Sequence, residues 1–300
     1  MVRKGIIADK WFSHSMGART VLGSGLIRRV FDKRFFMARM TKWPLLGPLM
    51  EYAFFDKDDM MVLPKDEVTK NAVKPVTEIR MNAMAEPEEV VLPSKVVEHF
   101  VRNSRYIFRM NTCMCREANQ CKDYPIDMGC LFLGKGTLNI DENLGRMITQ
   151  EEAIEHLRKC REAGLVHLIG RNKIDSVWLN TGPKEELLSL CSCCPCCCLW
   201  KMIPDLSREI SDMVTRMPGL EISVSERCIG CGACQEDGVC YVGAIKVQGG
   251  RARIDDRCCK GCGRCAETCP QGAIDIRVTD MDFLDSAIGR LESLVDIRSE

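Results

Sequence analysis

The sequence predicts an α+β protein of three parts closed by a helix, and three observations point there. Cysteine is absent before Cys113 and then abundant, reaching twenty in 300 residues. The heptapeptide CIGCGAC at 228–234 returns as CKGCGRC at 259–265. Between the cysteine groups, apolar residues recur at helical spacing in some windows and in short strand-like runs in others. The chain accordingly divides into a mainly helical N-terminal segment and linker (1–93), a mixed cysteine-rich domain (94–205), a small repeat domain (206–278) and a C-terminal helix (279–300).

Composition narrows the class. The chain has 42 cationic and 42 anionic side chains, so no global field draws it to nucleic acid or to a membrane. No run reaches the roughly 18 apolar residues of a membrane span. The opening MVRKGIIADKWFSH lacks the apolar core of a signal peptide. Cysteines in a chain that stays in the cytoplasm read as metal thiolates rather than disulfides. Clusters of that chemistry are oxygen-sensitive, which suggests an anaerobe.

Taken in order, Leu26, Ile27, Val30, Phe31 and Arg34 have helical spacing within a basic stretch. Phe35, Phe36, Trp43, Phe54 and Phe55 add apolar area. Such an arm can pack over the cysteine-rich domain, dock a partner or lie on a membrane, and packing is the preferred reading. Residues 64–93 carry Pro64, Pro75, Pro87 and Pro93 and read as an extended linker. Ser94 is the expected N-cap of a helix bearing Val96, Val97, Phe100 and Val101. Thr149 and Glu152 form a capping box for a helix that places Ile154, Leu157 and Cys160 on one side and stops at Gly164. LVHLIG and KIDSVWL read as two strands of a hairpin turning at Arg171-Asn172. Residues 201–220 read as helical, broken by Pro204 and Pro218. The last helix carries Leu284, Ile288, Leu291 and Val295.

The repeat carries the most specific chemistry. C-x-x-C-x-x-C wraps a turn of backbone around three corners of an iron–sulfur cubane. Gly230, Gly232, Gly261 and Gly263 let amides approach its sulfides. Cys259, Cys262, Cys265 and Cys269-Pro270 complete the bacterial signature. The first half departs from it: five residues, 235–239, separate Cys234 from Cys240, and Tyr241 replaces the proline. Zinc ribbons are the alternative for paired C-x-x-C units, but two triplets with two distal cysteines suit cubanes better.

Residues 222–278 thus resemble the bacterial-type dicluster ferredoxin domain with two 4Fe–4S clusters. That resemblance implies a ferredoxin-like fold in which the fourth cysteine of each half crosses over. Cluster one would take Cys228, Cys231, Cys234 and Cys269. Cluster two would take Cys259, Cys262, Cys265 and Cys240. Cys258 is left over as a non-ligand.

Ten cysteines lie upstream in two patches: Cys113, Cys115, Cys121 and Cys130, then Cys191, Cys193, Cys194, Cys196, Cys197 and Cys198. Neighbouring side chains diverge, so adjacent cysteines cannot all serve one cubane. One or more additional iron–sulfur clusters is the leading reading. A pair of zinc sites, and buried thiols acting as small hydrophobes, are the alternatives. The pieces CMCR at 113–116, GLVH at 164–167 and the 191–198 run resemble a group of cysteine-rich iron–sulfur proteins of anaerobic archaea and bacteria. That resemblance spans 100–278 and names no reaction. Arg116 can neutralise an anionic cluster or bind an anionic substrate, or be structural. His167 reads first as a satisfied half-buried histidine, and Cys160 as core.

These features predict an electron-transfer protein that passes low-potential electrons through the ferredoxin domain to an upstream cluster or partner enzyme, with a redox partner protein. The alternatives are a reductase whose upstream non-standard cluster is catalytic, and a donor of clusters or electrons during metalloenzyme activation. No dinucleotide fingerprint, phosphate loop or nucleophile elbow is present, so no nucleotide is expected. Nothing has nucleic-acid finger spacing.

Overall fold

The computed structural model describes residues 31–71, 92–280 and 282–298. Leu26, Ile27 and Val30 of the expected arm lie outside them, as do Pro75 and Pro87. Helix α1 (Arg34–Met40) is followed by the short α2 (Gly47–Met50), which widens into a π turn at Glu51–Phe55. The arm does pack on the body. Ala38 and Phe55 are buried against Trp200, Met202 and Ile203, and the Thr41 hydroxyl accepts from the Ser207 amide at 2.7 Å.

The helical expectation for the N-terminal segment fails beyond residue 55. Asp59–Val62 is strand β1, and Thr69–Asn71 is strand β2. Met60, Met61 and Val62 are all fully buried. The reason is that β1 is an interior strand covered on both faces, so its apolar residues form a continuous run with no period to read.

The central sheet has seven strands in the order β5-β3-β4-β7-β6-β1-β8. Here β3 is Ile107–Met110, β4 Leu131–Leu133 and β5 Gly145–Met147. Strand β6 is Val166–Arg171, β7 Leu188–Cys193 and β8 Val214–Arg216. Neighbours are antiparallel except β1 and β8, which run parallel. Residues 201–220 therefore hold a strand as well as the 3-10 turn Leu199–Asp205 and the short helix Arg208–Asp212.

Helix α3 (Ser94–Asn103) buries Val96, Val97, Phe100 and Val101 as its spacing requires. Its start differs from expectation: Ser94 is inside the helix, and its amide donates to Asp66 Oδ1 at 3.0 Å. A carboxylate from the supposed linker thus supplies the cap. The Gln150–Glu162 helix has its capping box, with Thr149 and Glu152 bonded reciprocally, worth about 1 kcal/mol. It ends before Gly164, which takes φ +76°. The expected hairpin at Arg171-Asn172 is not formed. Lys173–Leu179 is a helix, because the Asn172 side chain accepts from the Ile174 amide and caps it.

The C-terminal unit pairs β9 (Leu220–Val224) with β12 (Ile274–Val278), and β10 (Ile245–Gln248) with β11 (Arg251–Ile254), both antiparallel. Strand β2 adds in parallel to the free edge of β12, with Ile276 opposite Thr69. The closing helix Phe283–Glu292 buries Phe283, Ala287 and Leu291. Leu284 and Ile288 are only partly buried against the core that also holds α3.

Candidate metal centres

The repeat folds into two similar loops around two cavities. One is lined by Cys228, Cys231, Cys234 and Cys269. The other is lined by Cys240, Cys259, Cys262 and Cys265, with Tyr241 and Ile222 in its wall. In each, the fourth cysteine comes from the opposite half of the repeat. The loops fit an anionic cluster on the chemistry of their backbone. Gly230, Gly232, Gly261 and Gly263 all have φ between +67° and +88°, a conformation that turns successive amides inward. The Ala252, Ala244 and Ala273 amides donate to the sulfurs of Cys228, Cys240 and Cys269 at 3.3, 3.2 and 3.3 Å. The two backbone donors Ala252 and Gly230 hold Cys228 below the ordinary thiol range. Burial pushes Cys259 up to about 11, so its thiolate needs a compensating cation. Cys258 is exposed and donates to Asp255 at 3.4 Å, outside both cavities.

The ten upstream cysteines separate into two groups. Cys121, Cys194, Cys196 and Cys197 form the first, with all four sulfurs within 4.8 Å of one another. The second brings Cys115, Cys113, Cys130, Cys191, Cys193 and Cys198 together, each thiol interacting with its neighbours in that order. Cys193 and Cys194 are adjacent in sequence yet belong to different groups, because side chains leaving the end of β7 alternate in direction. Interactions with Cys115 and Cys130 hold the Cys113 thiol far below its usual range, and those with Cys191 and Cys198 lower Cys193 likewise.

Arg116 is fully buried beside this second group. It donates from Nη1 to the Ser192 carbonyl at 2.9 Å and from Nη2 to the Met128 carbonyl. Its Nε has no protein partner. Burial opposes its charge, but the neighbouring cysteines, Cys113 foremost, outweigh that and hold it firmly protonated. A buried cation with an orphaned donor suits a site for a negatively charged group.

His167 is buried rather than half-buried, with Nδ1 at 3.1 Å from the Ser192 hydroxyl and Nε2 unpartnered. Burial and nearby Arg161 push its pKa down to about 3, so it is neutral. Cys160 is core, packed beside the first thiol group and 3.6 Å from His156 Nε2.

Two residues that the sequence does not mark as site residues join the centres. Tyr241 is buried, and the thiols around it come from both sides: Cys262 and Cys240 of the C-terminal unit, Cys198 and Cys193 upstream. Its place after Cys240, where the ferredoxin signature has proline, was the available signal. Arg264, between Cys262 and Cys265, is buried and donates to the carbonyls of Cys193 at 2.6 Å and Gly164 at 3.2 Å. No local pattern marks it.

Comparison with known proteins agrees with the chemistry of the repeat. Residues 252–275 match the 4Fe-4S binding domain family. The chain is also 46% identical over 50 residues to a protein of Methanosarcina acetivorans named as one subunit of an ion-translocating oxidoreductase complex. That match covers 17% of this chain and 18% of the relative, so the chain spans less than a fifth of the curated protein it matches. No solved structure matches. The chain therefore carries a ferredoxin-like iron–sulfur segment near its C-terminus, of the kind that handles single electrons. Among the described residues, no helix is long and apolar enough to cross a membrane.

Proposed function

We propose that this chain is an electron-transfer protein with a dicluster ferredoxin domain that feeds an upstream iron–sulfur centre. Cys228, Cys231, Cys234 and Cys269 hold one 4Fe–4S cluster, and Cys240, Cys259, Cys262 and Cys265 hold the second. Cys113, Cys115, Cys130, Cys191, Cys193 and Cys198 hold a further cluster, with Arg116 balancing its charge. The clusters supply one-electron carriers, and the protein supplies the path between them.

The carrying observation is that thiols of the two regions meet in one apolar cluster. Cys240, Cys259 and Cys262 pack there with Cys191, Cys193 and Cys198 around Tyr241. Close packing in a dry medium keeps the donor and acceptor near each other and excludes water. The relative is named as part of an oxidoreductase complex, which supports a protein redox partner for this chain as well. The unit boundaries expected from sequence, cytoplasmic location and an anaerobic setting belong to the same reading.

A second reading has one observation behind it. The unpartnered Nε of Arg116, beside six thiols, is a place for an anionic substrate, as a reductase would need.

The test is anaerobic purification with iron and sulfide analysis, before and after a Cys115→Ser, Cys193→Ser double substitution. We expect more than about eight irons in the parent, falling to about eight in the variant. An unchanged count overturns the upstream cluster, and a colourless parent overturns the whole reading. Addition of small anions to the reduced protein separates the two readings: a changed paramagnetic spectrum favours the reductase.

A further inference from the structure

We propose that Cys121, Cys194, Cys196 and Cys197 bind a single Zn²⁺ ion rather than part of an iron–sulfur cluster. The geometry points there. Four ligands around one ion with Zn–S bonds of about 2.3 Å form a tetrahedron with edges of about 3.8 Å. The observed Cys121–Cys196 and Cys196–Cys197 sulfur separations are 3.6 and 3.5 Å, and all four sulfurs lie within 4.8 Å. A cubane demands something else. Its four thiolates sit on four different irons, each pointing outward from the core, so they stand much further apart. The same molecule shows the contrast: among the described residues, neither ferredoxin cavity brings its cysteine sulfurs into so tight a group.

The local backbone is built for one ion. Cys194-Pro195-Cys196-Cys197 makes a tight turn in which the Cys197 amide donates to Cys194 Sγ at 3.4 Å, the bond that a metal-bound thiolate accepts. Pro195 fixes its own φ and presents no amide to compete. Cys194 and Cys197 are buried, while Cys121 and Cys196 are half-buried, which leaves an entry path for the ion. Soft thiolates in a tetrahedral S₄ set select zinc or a single iron, and zinc binds more tightly in the order of divalent ions.

The ion would act as a structural cross-link. It ties the loop after Met114–Ala118 to the strand end that carries Cys193. The proposal does not depend on what the six-thiol group binds.

The experiment uses the full-length protein, purified without added zinc, with zinc, iron and sulfide measured together. Parent protein is expected to hold about one zinc per chain. Cys121→Ser and Cys196→Ser are each expected to lower zinc at least tenfold with iron and sulfide unchanged. Cys193→Ser is expected to keep the zinc. Loss of iron and sulfide together in the Cys121 or Cys196 variant overturns the proposal. So does loss of one iron with sulfide unchanged, or a parent without zinc. If those variants do not fold, zinc-edge X-ray absorption of the parent decides: four sulfurs at about 2.3 Å support the site, and nitrogen or oxygen ligands overturn it.

Discussion

The guanidinium of Arg264 lies 2.6 Å from the carbonyl oxygen of Cys193 and so joins the ferredoxin loop to the upstream thiol chain. Its second bond, to Gly164, holds the turn that leads into β6. Arg264→Ala would remove the guanidinium bonds to two half-buried carbonyls. We expect a loss of about 1–2 kcal/mol, read as a lower urea midpoint. Arg264→Lys keeps the charge but cannot span both carbonyls, and should fall between. If the alanine variant is as stable as the parent, the bridge is incidental.

Arg116 should matter to metal retention more than to folding alone. Its carbonyl partners fix the guanidinium against the six thiols, and supporting residues of this kind alter metal affinity about 10–100-fold. Arg116→Met is expected to release upstream iron at chelator concentrations that the parent resists, while the iron of the C-terminal unit stays. Arg116→Lys should restore part of the retention. Equal retention in all three proteins would remove Arg116 from the site.

Gly230 and Gly243 form a matched pair. Both have positive φ, +67° and +64°. A Cβ at Gly230 would stand 2.3 Å from the Gly250 carbonyl oxygen, whereas one at Gly243 would meet nothing within 4 Å. Gly243→Ala should therefore cost only the left-handed backbone strain, roughly 1–2 kcal/mol. Gly230→Ala must also push the β10–β11 turn away, and should lose about four irons from the C-terminal unit. Iron analysis of the two variants checks this.

Asp58 gives a pH dependence of definite sign. It is buried, its Oδ1 accepts from the Lys173 amide at 2.7 Å, and its Oδ2 has no protein partner. Burial pushes its pKa up to about 7. In the unfolded chain it would titrate near about 3.9. Between those values the folded state holds more protons than the unfolded one. Stability from this group is thus full below about pH 4 and is lost as pH rises through 7, at up to ~1.4 kcal/mol per unit. Asp58→Asn keeps the acceptor and removes the titration. Denaturation of both proteins across pH 4–8 should show the variant gaining on the parent as pH rises, and parallel curves would refute the assignment.

What could be read from the sequence was whatever is local. Thr149 and Glu152 bond within one turn, so their residue types announce the helix start. Six of the eight repeat cysteines stand in two triplets at fixed short offsets, and the crossing of Cys240 and Cys269 came only from the resemblance. KIDSVWL misled because Ile174, Val177 and Leu179 suit a strand as well as a helix, and the decisive element was the Asn172 side chain on the Ile174 amide. The upstream thiols could be counted but not sorted. Cys121 meets Cys196 across 75 residues, and Arg264 meets Cys193 across 71, distances over which no spacing rule operates. Strand β1 was invisible for the same reason, since its neighbours are β6 and β8.

The placement of β1 and β2 sets an order of events during synthesis. Residues 59–62 leave the ribosome long before 166–171 and 214–216, the strands that will flank them, and 69–71 before 274–278. The seven-stranded sheet cannot close until residues 214–216 are made, nor the three-stranded sheet until 274–278, because early strands must wait for late partners. A chain stalled before residue 214 would therefore leave one edge of β1 unpaired and β2 without its partner strand.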